Sequence, residues 1–251
     1  MKKIRILLVG VLTLSILNCF AQKTDLKKLN LSGKISSINE KTYQPIISED
    51  VISKGRMVQW HRNVFNSMGN KVEDLKFRAD SSIDKKYVYS YTNEGFRKDL
   101  CIYSGDNLLT LKIEYKYDSE GRLLKDVSFN DKGQIEKEIA YLYGKDDFLT
   151  EVNILNPNGE LQKKVRYVYS SSGFMAESNQ YKANGELERR ITYLQDLKGN
   201  NIEEKTYSFE GILLTSVLYK YEYDVWGNWI KKTSFSNEKP VSITERKIIY
   251  F

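Results

Sequence analysis

Positions that break a strand recur every 26 residues in two interleaved series. Gly69, Gly95, Gly121, Gly173 and Gly199 form the first, with Asp147 filling its one gap. Gly55, Ser81, Asn107, Gly133, Gly159, Gly185 and Gly211 form the second, and neighbours in the two series stand 12 or 14 residues apart. A stretch that short holds one strand and one turn. A parallel crossover needs a dozen or more residues of its own, so successive strands must run antiparallel. Strings such as Asn130-Asp131-Lys132-Gly133 and Asn156-Pro157-Asn158-Gly159 supply the turns. Their glycine takes positive φ, and Asn or Asp bonds the neighbouring backbone. Between turns, Ile135, Ile139, Tyr141 and Tyr143 share one face while Gln134, Glu136 and Glu138 take the other, the period of a half-buried strand. A two-residue insertion near Leu218–Glu222 moves the last turns to Gly227 and Lys239. The chain is therefore predicted to be all-β, an antiparallel up-and-down meander of about sixteen strands built from 26-residue β-hairpins. Only Ile47–Ser53 is ambiguous.

The most regular feature between the turns is Tyr-x-Tyr. It reads Tyr89/Tyr91, Tyr115/Tyr117, Tyr141/Tyr143, Tyr167/Tyr169 and Tyr221/Tyr223, with Asn63/Phe65 and Tyr193/Gln195 as degenerate copies. In a meander these form two ladders along one face. Aromatic neighbours across strands stabilise a sheet by roughly 0.2–1 kcal/mol per pair, which accounts for the ladders without a ligand. Exposed aromatic stripes also mark binding surfaces, so the ten tyrosines are candidate ligand-facing groups. A charged column follows four residues after each first-series turn: Glu73, Asp99, Lys125, Glu151, Glu177, Glu203 and Lys231. Simple alternation puts it on the tyrosine face, with pairs such as Glu73/Lys85, Glu151/Lys163 and Glu177/Arg189 lying diagonally across hairpins. Charges do not tolerate burial without partners. The expected shape is therefore a curved single-layer or loosely rolled sheet, open rather than sealed.

The first segment reads as an export signal. Lys2, Lys3 and Arg5 precede an apolar run from Ile6 to Leu17, and Cys19-Phe20-Ala21 sets small residues before a cut at Gln22. The run is too short to span a bilayer, which takes roughly 20 residues, and no later stretch is long enough. The expected organisation is a signal peptide at 1–21, a flexible leader at 22–30 and one repeat domain at 31–251. The mature chain is then exported to the periplasm or medium, or lipid-anchored through Cys19 if that residue is the one processed. Removing three basic residues leaves 36 Lys and Arg against 33 Asp and Glu, interspersed without a basic stripe. Nucleic acid is not an expected partner.

Chemistry is sparse. His61 is the only histidine and Cys101 the only cysteine after Cys19, so a disulfide within the mature domain is ruled out. A zinc site lacks ligands, and no glycine-rich loop opens a helix for a nucleotide. No cofactor, metal or catalytic residue is expected.

At Tyr115-Lys116-Tyr117-Asp118-Ser119-Glu120-Gly121-Arg122-Leu123 and at Tyr221-Glu222-Tyr223-Asp224-Val225-Trp226-Gly227-Asn228-Trp229 the chain resembles the YD (RHS-type) repeat. Asn158-Gly159-Glu160-Leu161 is similar to MORN-variant hairpins. Other copies depart from the pattern, with Thr92, Gly144 or Ser170 in place of Asp. The layout is also similar to small uncharacterised secreted repeat proteins of Bacteroidetes-type bacteria. The resemblance implies a β-meander scaffold with an envelope address and carries over no catalytic residues.

The expected function is a non-enzymatic secreted or envelope scaffold that binds another protein through an edge strand or the tyrosine face. The alternative is a carbohydrate- or peptidoglycan-binding module using the tyrosine ladders. A third reading is a secreted hydrolase with its site in the loop Gln44–Gly55 or near Trp226 and Trp229. An outer-membrane barrel is disfavoured, because its lipid side would be the tyrosine face with its charged column.

Overall fold

The computed structural model describes residues 24–49 and 51–251. The signal segment, Cys19 and the cut before Gln22 lie outside the described residues. Sixteen strands follow in order: β1 (Ile35–Ser48), β2 (Val51–Phe65), β3 (Lys71–Phe77), β4 (Ile83–Tyr91), β5 (Arg97–Ser104) and β6 (Leu109–Tyr117). Next come β7 (Leu123–Asn130), β8 (Ile135–Tyr143), β9 (Leu149–Leu155), β10 (Leu161–Tyr169) and β11 (Met175–Lys182). The chain ends with β12 (Leu187–Gln195), β13 (Asn201–Ser208), β14 (Leu213–Tyr223), β15 (Trp229–Ser236) and β16 (Lys239–Tyr250). Each strand pairs antiparallel with the next.

The sheet is closed. β1 pairs with β16 from Ile35↔Tyr250 to Tyr43↔Ile243, completing a sixteen-stranded barrel. This overturns the expected open, curved single layer, and the reason lies in the bulges. At each first-series hairpin the register slips by one residue: Tyr91 faces Arg97, yet Ser90 faces Asp99 and Tyr89 faces Leu100. A bulge of this kind puts two residues opposite one and resets the alternation. The charged column therefore points outward, away from the tyrosines. All seven of its members find partners there. Glu73 pairs with Lys86, Asp99 with Lys112, Lys125 with Glu138, and Glu151 with Lys164 and Arg166. Glu177 pairs with Arg190, Glu203 with Lys205, and Lys231 with Glu222. The expected partners Lys85, Lys163 and Arg189 are each off by one residue, as the bulge requires. With the charges outside, nothing in the tyrosine face opposes closure.

Turn chemistry explains the variant copies of the Tyr-Asp pattern. Asp118 Oδ1 accepts the backbone N–H groups of Glu120 and Arg122 at 3.1 and 2.8 Å, and Asp224 does the same for Trp226 and Asn228. Thr92 and Ser170 do part of this work with a hydroxyl, each accepting one N–H at 3.3 Å. Gly121, at φ +80°, holds the positive-φ position of its turn. Gly55 is different. It lies inside β2, where an added Cβ would stand 2.9 Å from the Gln44 carbonyl oxygen, and the turn is at Glu49. The supposed loop Gln44–Gly55 is a long two-stranded ribbon instead.

Thr24 to Lys34 crosses the mouth at the first-series end as a strap. It contains one short helix, α1 (Asp25–Lys28), capped by Thr24. Leu26 N–H donates to the Gly69 carbonyl on one side of the mouth. Asn30 donates to the Lys198 carbonyl in the β12–β13 turn, on the far side of the wall. Ser32 then exchanges hydrogen bonds with the buried Asn228 at 2.7 and 2.8 Å. Residues 24–30, expected within a flexible leader, are thus tied to both sides of the barrel. Leu26 and Leu31 of the strap form a buried apolar cluster with Ile35, Ile38 and Phe65 below, and Ile248 and Tyr250 pack alongside. Elsewhere the luminal side chains are mostly half-buried, so the barrel is hollow.

Candidate functional site in the lumen

Both tyrosine ladders line the lumen, and most of their hydroxyls are engaged by the wall itself. In one ladder Tyr117, Tyr143, Tyr169 and Tyr221 donate to the carbonyl 20 residues earlier, on Arg97, Leu123, Leu149 and Asn201, at 2.7–3.1 Å, and Tyr91 shares its one proton between the Lys71 carbonyl and Asp25. These carbonyls sit where the bulge interrupts the ladder. Gln195 keeps the same bond to Met175 at 2.6 Å through its amide, so this degenerate copy conserves the interaction and changes only the residue. In the other ladder Tyr89 and Tyr141 donate to Asp74 and Asp126 at 2.7 and 2.6 Å, and Tyr193 bonds Ser178 at 3.0 Å. Behind Tyr115 and Tyr167 the equivalent positions are Leu100 and Val152, both apolar. Tyr223 reaches Asp196 at 2.9 Å. Burial, aided by Asp196, pushes its phenol up to about 12. Burial likewise raises Tyr89, Tyr91, Tyr115, Tyr141, Tyr143, Tyr167, Tyr169 and Tyr221, so all remain neutral donors at working pH.

Several ring faces are covered as well. Arg97 lies over Tyr89 and Tyr115 at 4.6 and 5.7 Å, Phe96 packs on Tyr117, Phe148 on Tyr169 and Trp229 on Tyr221.

A second set of luminal residues breaks the repeat and gathers where the chain closes on itself. A cavity of about 350 Å³ lies under the strap, between β16 and β4. Its wall carries Glu40 from β1, Gln59, His61 and Asn63 from β2, Lys71 and Asp74 from β3, Tyr87 and Tyr89 from β4, and Arg246 from β16. Arg246 donates through Nε to Glu40 at 2.7 Å, with its guanidinium 3.3 Å from the Trp229 ring centroid. Burial pulls Arg246 below its ordinary value against the opposing charge of Glu40, and Lys232 nearby is also lowered by burial. Lys71 pairs with Asp74 at 3.1 Å. The strap borders this cavity with Leu29 and Leu31 and is pinned beside it through Asp25. That carboxylate accepts from Lys71 N–H at 2.9 Å, from Tyr91 at 2.7 Å and from Arg97 at 2.8 Å. Burial opposes its charge, but Tyr91, Arg97 and the Lys71 amide hold it below the usual carboxylate range.

The structure separates His61 from Cys101. His61 faces Glu40 in the lumen, while Cys101 stands opposite Val88 and Lys112 on the outer wall. Trp229 joins the luminal cluster, and Trp226 packs against Tyr250 at the strapped mouth. Among the described residues no group of His, Cys, Asp and Glu is placed to hold a metal ion. Glu40, Asp74, Arg97, Asn228 and Arg246 were not singled out by sequence. For Arg97 the signal was departure from the repeat: at its position other units hold Leu123, Leu149, Met175, Asn201 and Trp229.

No protein-family model matches this chain, and no curated protein matches it. The YD-type resemblance thus stays a local likeness of a few hairpins. Among solved structures, a porin-like protein from Bacteroides uniformis superposes with a TM-score of 0.59 at 13% identity, covering 86% of this chain and 96% of that one. A porin-like protein from Bacteroides vulgatus gives 0.47 at 12% identity over 87% and 99%. A Photorhabdus luminescens Tc holotoxin pore gives 0.34 at 13% identity, over 83% of this chain but 11% of that one. Only the first is close enough to carry weight. The likeness is one of fold.

Proposed function

We propose that this chain is a non-enzymatic binding protein of the bacterial envelope, a hollow barrel that stands in water and takes its ligand in the lumen. The observation that carries the reading is the polarity of the wall. A barrel set in lipid needs an apolar outer band, and Lys or Arg at mid-depth costs roughly 2–4 kcal/mol each. Here the outer wall carries the ion-paired column at mid-height, interspersed with exposed aliphatics such as Leu142, Val168 and Leu194, while the tyrosine ladders face inward. The strap covers one mouth. The other is rimmed by tight turns, with the β1–β2 ribbon extending beyond them. Export rests on the basic n-region and apolar run at the start of the chain, and the fold likeness to a porin-like protein is in keeping with an envelope address.

Expression of the full chain followed by fractionation tests this reading. The protein is expected in the aqueous periplasmic or medium fraction, folded without detergent, with Gln22 as its first residue. Acylated Cys19 would make it an anchored lipoprotein, and a requirement for detergent after cleavage at Gln22 would overturn the water-facing reading.

A protein partner is the second reading. The edge strand expected to dock one is lost, because closure leaves no edge. The tip of the β1–β2 ribbon replaces it, with Ile46, Ile47, Val51 and Ile52 exposed beyond the rim. If this ribbon docks a protein, an envelope protein that co-purifies with the wild type is lost from the Ile47→Lys variant.

A further inference from the structure

We infer that the cavity beneath the strap is a site for a neutral sugar, held along the inward face of β2. This rests on the binding reading above and names its ligand. Gln59, His61 and Asn63 occupy alternate positions of one strand and point into the same cavity. They run from the exposed Gln59 toward the buried Phe65 under the strap. No protein hydrogen bond engages any of the three side chains, whereas most other luminal polar groups are paired. Amide and imidazole groups each donate and accept, as a hydroxyl does. A row of them, left free at the edge of a solvated cavity, matches a chain of hydroxyls.

The charges in the cavity point the same way. Lys71 is matched by Asp74 and Arg246 by Glu40, so the wall is neutral although it is polar. An anionic ligand would lose its hydration and meet cations already neutralised, with Asp74 and Glu40 close by to repel it. A cationic ligand meets the converse with Lys71 and Arg246. An apolar ligand would strip water from the three free side chains, at about 1–3 kcal/mol for each group left unsatisfied. A neutral polyol incurs none of these penalties. Tyr87, Tyr89 and Phe65 add ring surface to the same wall. A cavity of about 350 Å³ is at the small end of ligand pockets, which suits a short glycan.

The repeat identifies these residues as exceptions. One unit further on, Asn63 and His61 correspond to Tyr89 and Tyr87, and Gln59 to Lys85. In later units the Asn63 position carries Tyr115, Tyr141 and Tyr167 and the His61 position Ile113, Ile139 and Val165, so the polar row appears once, at the cavity.

Calorimetric titration of the mature protein with maltose and chitobiose tests the inference, with glucuronate, a dialanine peptide and palmitate as comparison probes. Saturable binding of a neutral disaccharide is expected, weakened at least tenfold in Asn63→Leu and in Gln59→Leu. Circular dichroism and an unchanged melting temperature establish that both variants fold, and Gln59 at the mouth is the safer of the two. Neutral-sugar binding that both variants retain would place the site elsewhere. Binding of palmitate, peptide or glucuronate alone would overturn the sugar while leaving a luminal binding protein. If a folded, detergent-free protein binds none of the probes, the sugar inference fails, and the binding reading loses its support with it.

Discussion

The arc from β4 to β13 and the closure zone of β14–β16 with β1–β3 are built from the same hairpins but do different work. Along the arc most tyrosines repeat a neighbour's bond, Tyr115 and Tyr167 excepted, so the wall is largely one interaction copied. In the closure zone β14 keeps Tyr221 and Tyr223, but β2 holds Asn63 and Phe65 at the tyrosine positions, and Glu40, Asp74, Trp229, Lys232 and Arg246 crowd the lumen. Repetition solves the problem of making a wall. What a wall encloses is decided where repetition stops, and that is where β1, β16 and the strap converge.

The largest test of this contrast is the strap. Asp25 is buried with Arg97 as its ion partner, and removing one member of such a pair typically costs 3–5 kcal/mol. Asp25→Ala is expected to lower stability by about 3 kcal/mol in urea unfolding. No single tyrosine of the arc should match that. The Asp25 carboxyl is held below its unfolded value of about 3.9. Its contribution is therefore complete above that pH and is lost as the pH falls through the lowered value. Hydrogen-exchange protection at Leu26 and Lys71, taken relative to the intrinsic rate at each pH, should fall on acidification below pH 4 in the wild type but not in the variant. Equal exchange in both would show that the strap is held by its apolar contacts alone.

The arc was legible in sequence and the closure zone was not, for separate physical reasons. Turn glycines and alternation are local, so strand number, antiparallel order and the ladders could be read directly. The bulge is a single residue without a composition of its own. It reversed the face of Glu73 and its copies, and with it the argument that the sheet must stay open. Glu40 and Arg246 are 206 residues apart, and only closure brings them together. Asp25 lay in a stretch whose polar composition resembles any leader. Of the free row Gln59, His61 and Asn63 only Asn63 stood out as a degenerate copy, and without closure nothing showed that it faces a cavity.

A smaller effect sharpens the account of the arc. Tyr169→Phe removes only the hydroxyl that donates to the Leu149 carbonyl, and a typical net cost is about 1 kcal/mol. Gln195→Leu should cost about the same, since its amide makes the equivalent bond to Met175. Gln195→Tyr should be close to neutral. If Tyr169→Phe is silent while Gln195→Leu is not, the ladder works through its rings and the shared carbonyl bond is incidental.

Asp126 is the exception within the arc. It is buried with Tyr141 as its hydrogen-bond donor, and burial raises its carboxyl above the ordinary value. A raised carboxylate opposes folding once ionised, so its unfavourable contribution grows as the pH rises. Asp126→Asn keeps an acceptor for Tyr141 and sheds the charge. Its melting temperature at pH 7 should equal or exceed that of the wild type, with the difference shrinking toward pH 4. A clear loss at pH 7 would mean that the charge is needed, and would move Asp126 from the wall to the site.

The smallest effect concerns the outer face. Lys164 and Arg166 both reach Glu151 across the outside of the barrel, at 3.3 and 2.9 Å. Exposed pairs of this kind are worth roughly 0.2–1 kcal/mol. Lys164→Gln leaves Arg166 to hold Glu151, so the change in melting temperature should fall within the error of a thermal scan. Solubility without detergent should also be unchanged, because many other charges on the wall remain. Replacing Lys164, Arg166 and Glu151 together with leucine is the sharper variant. If the wall faces water, this patch promotes self-association visible by light scattering, with little change in stability. Insertion into vesicles instead would show that the outer charges, rather than the closed barrel itself, keep this protein out of lipid.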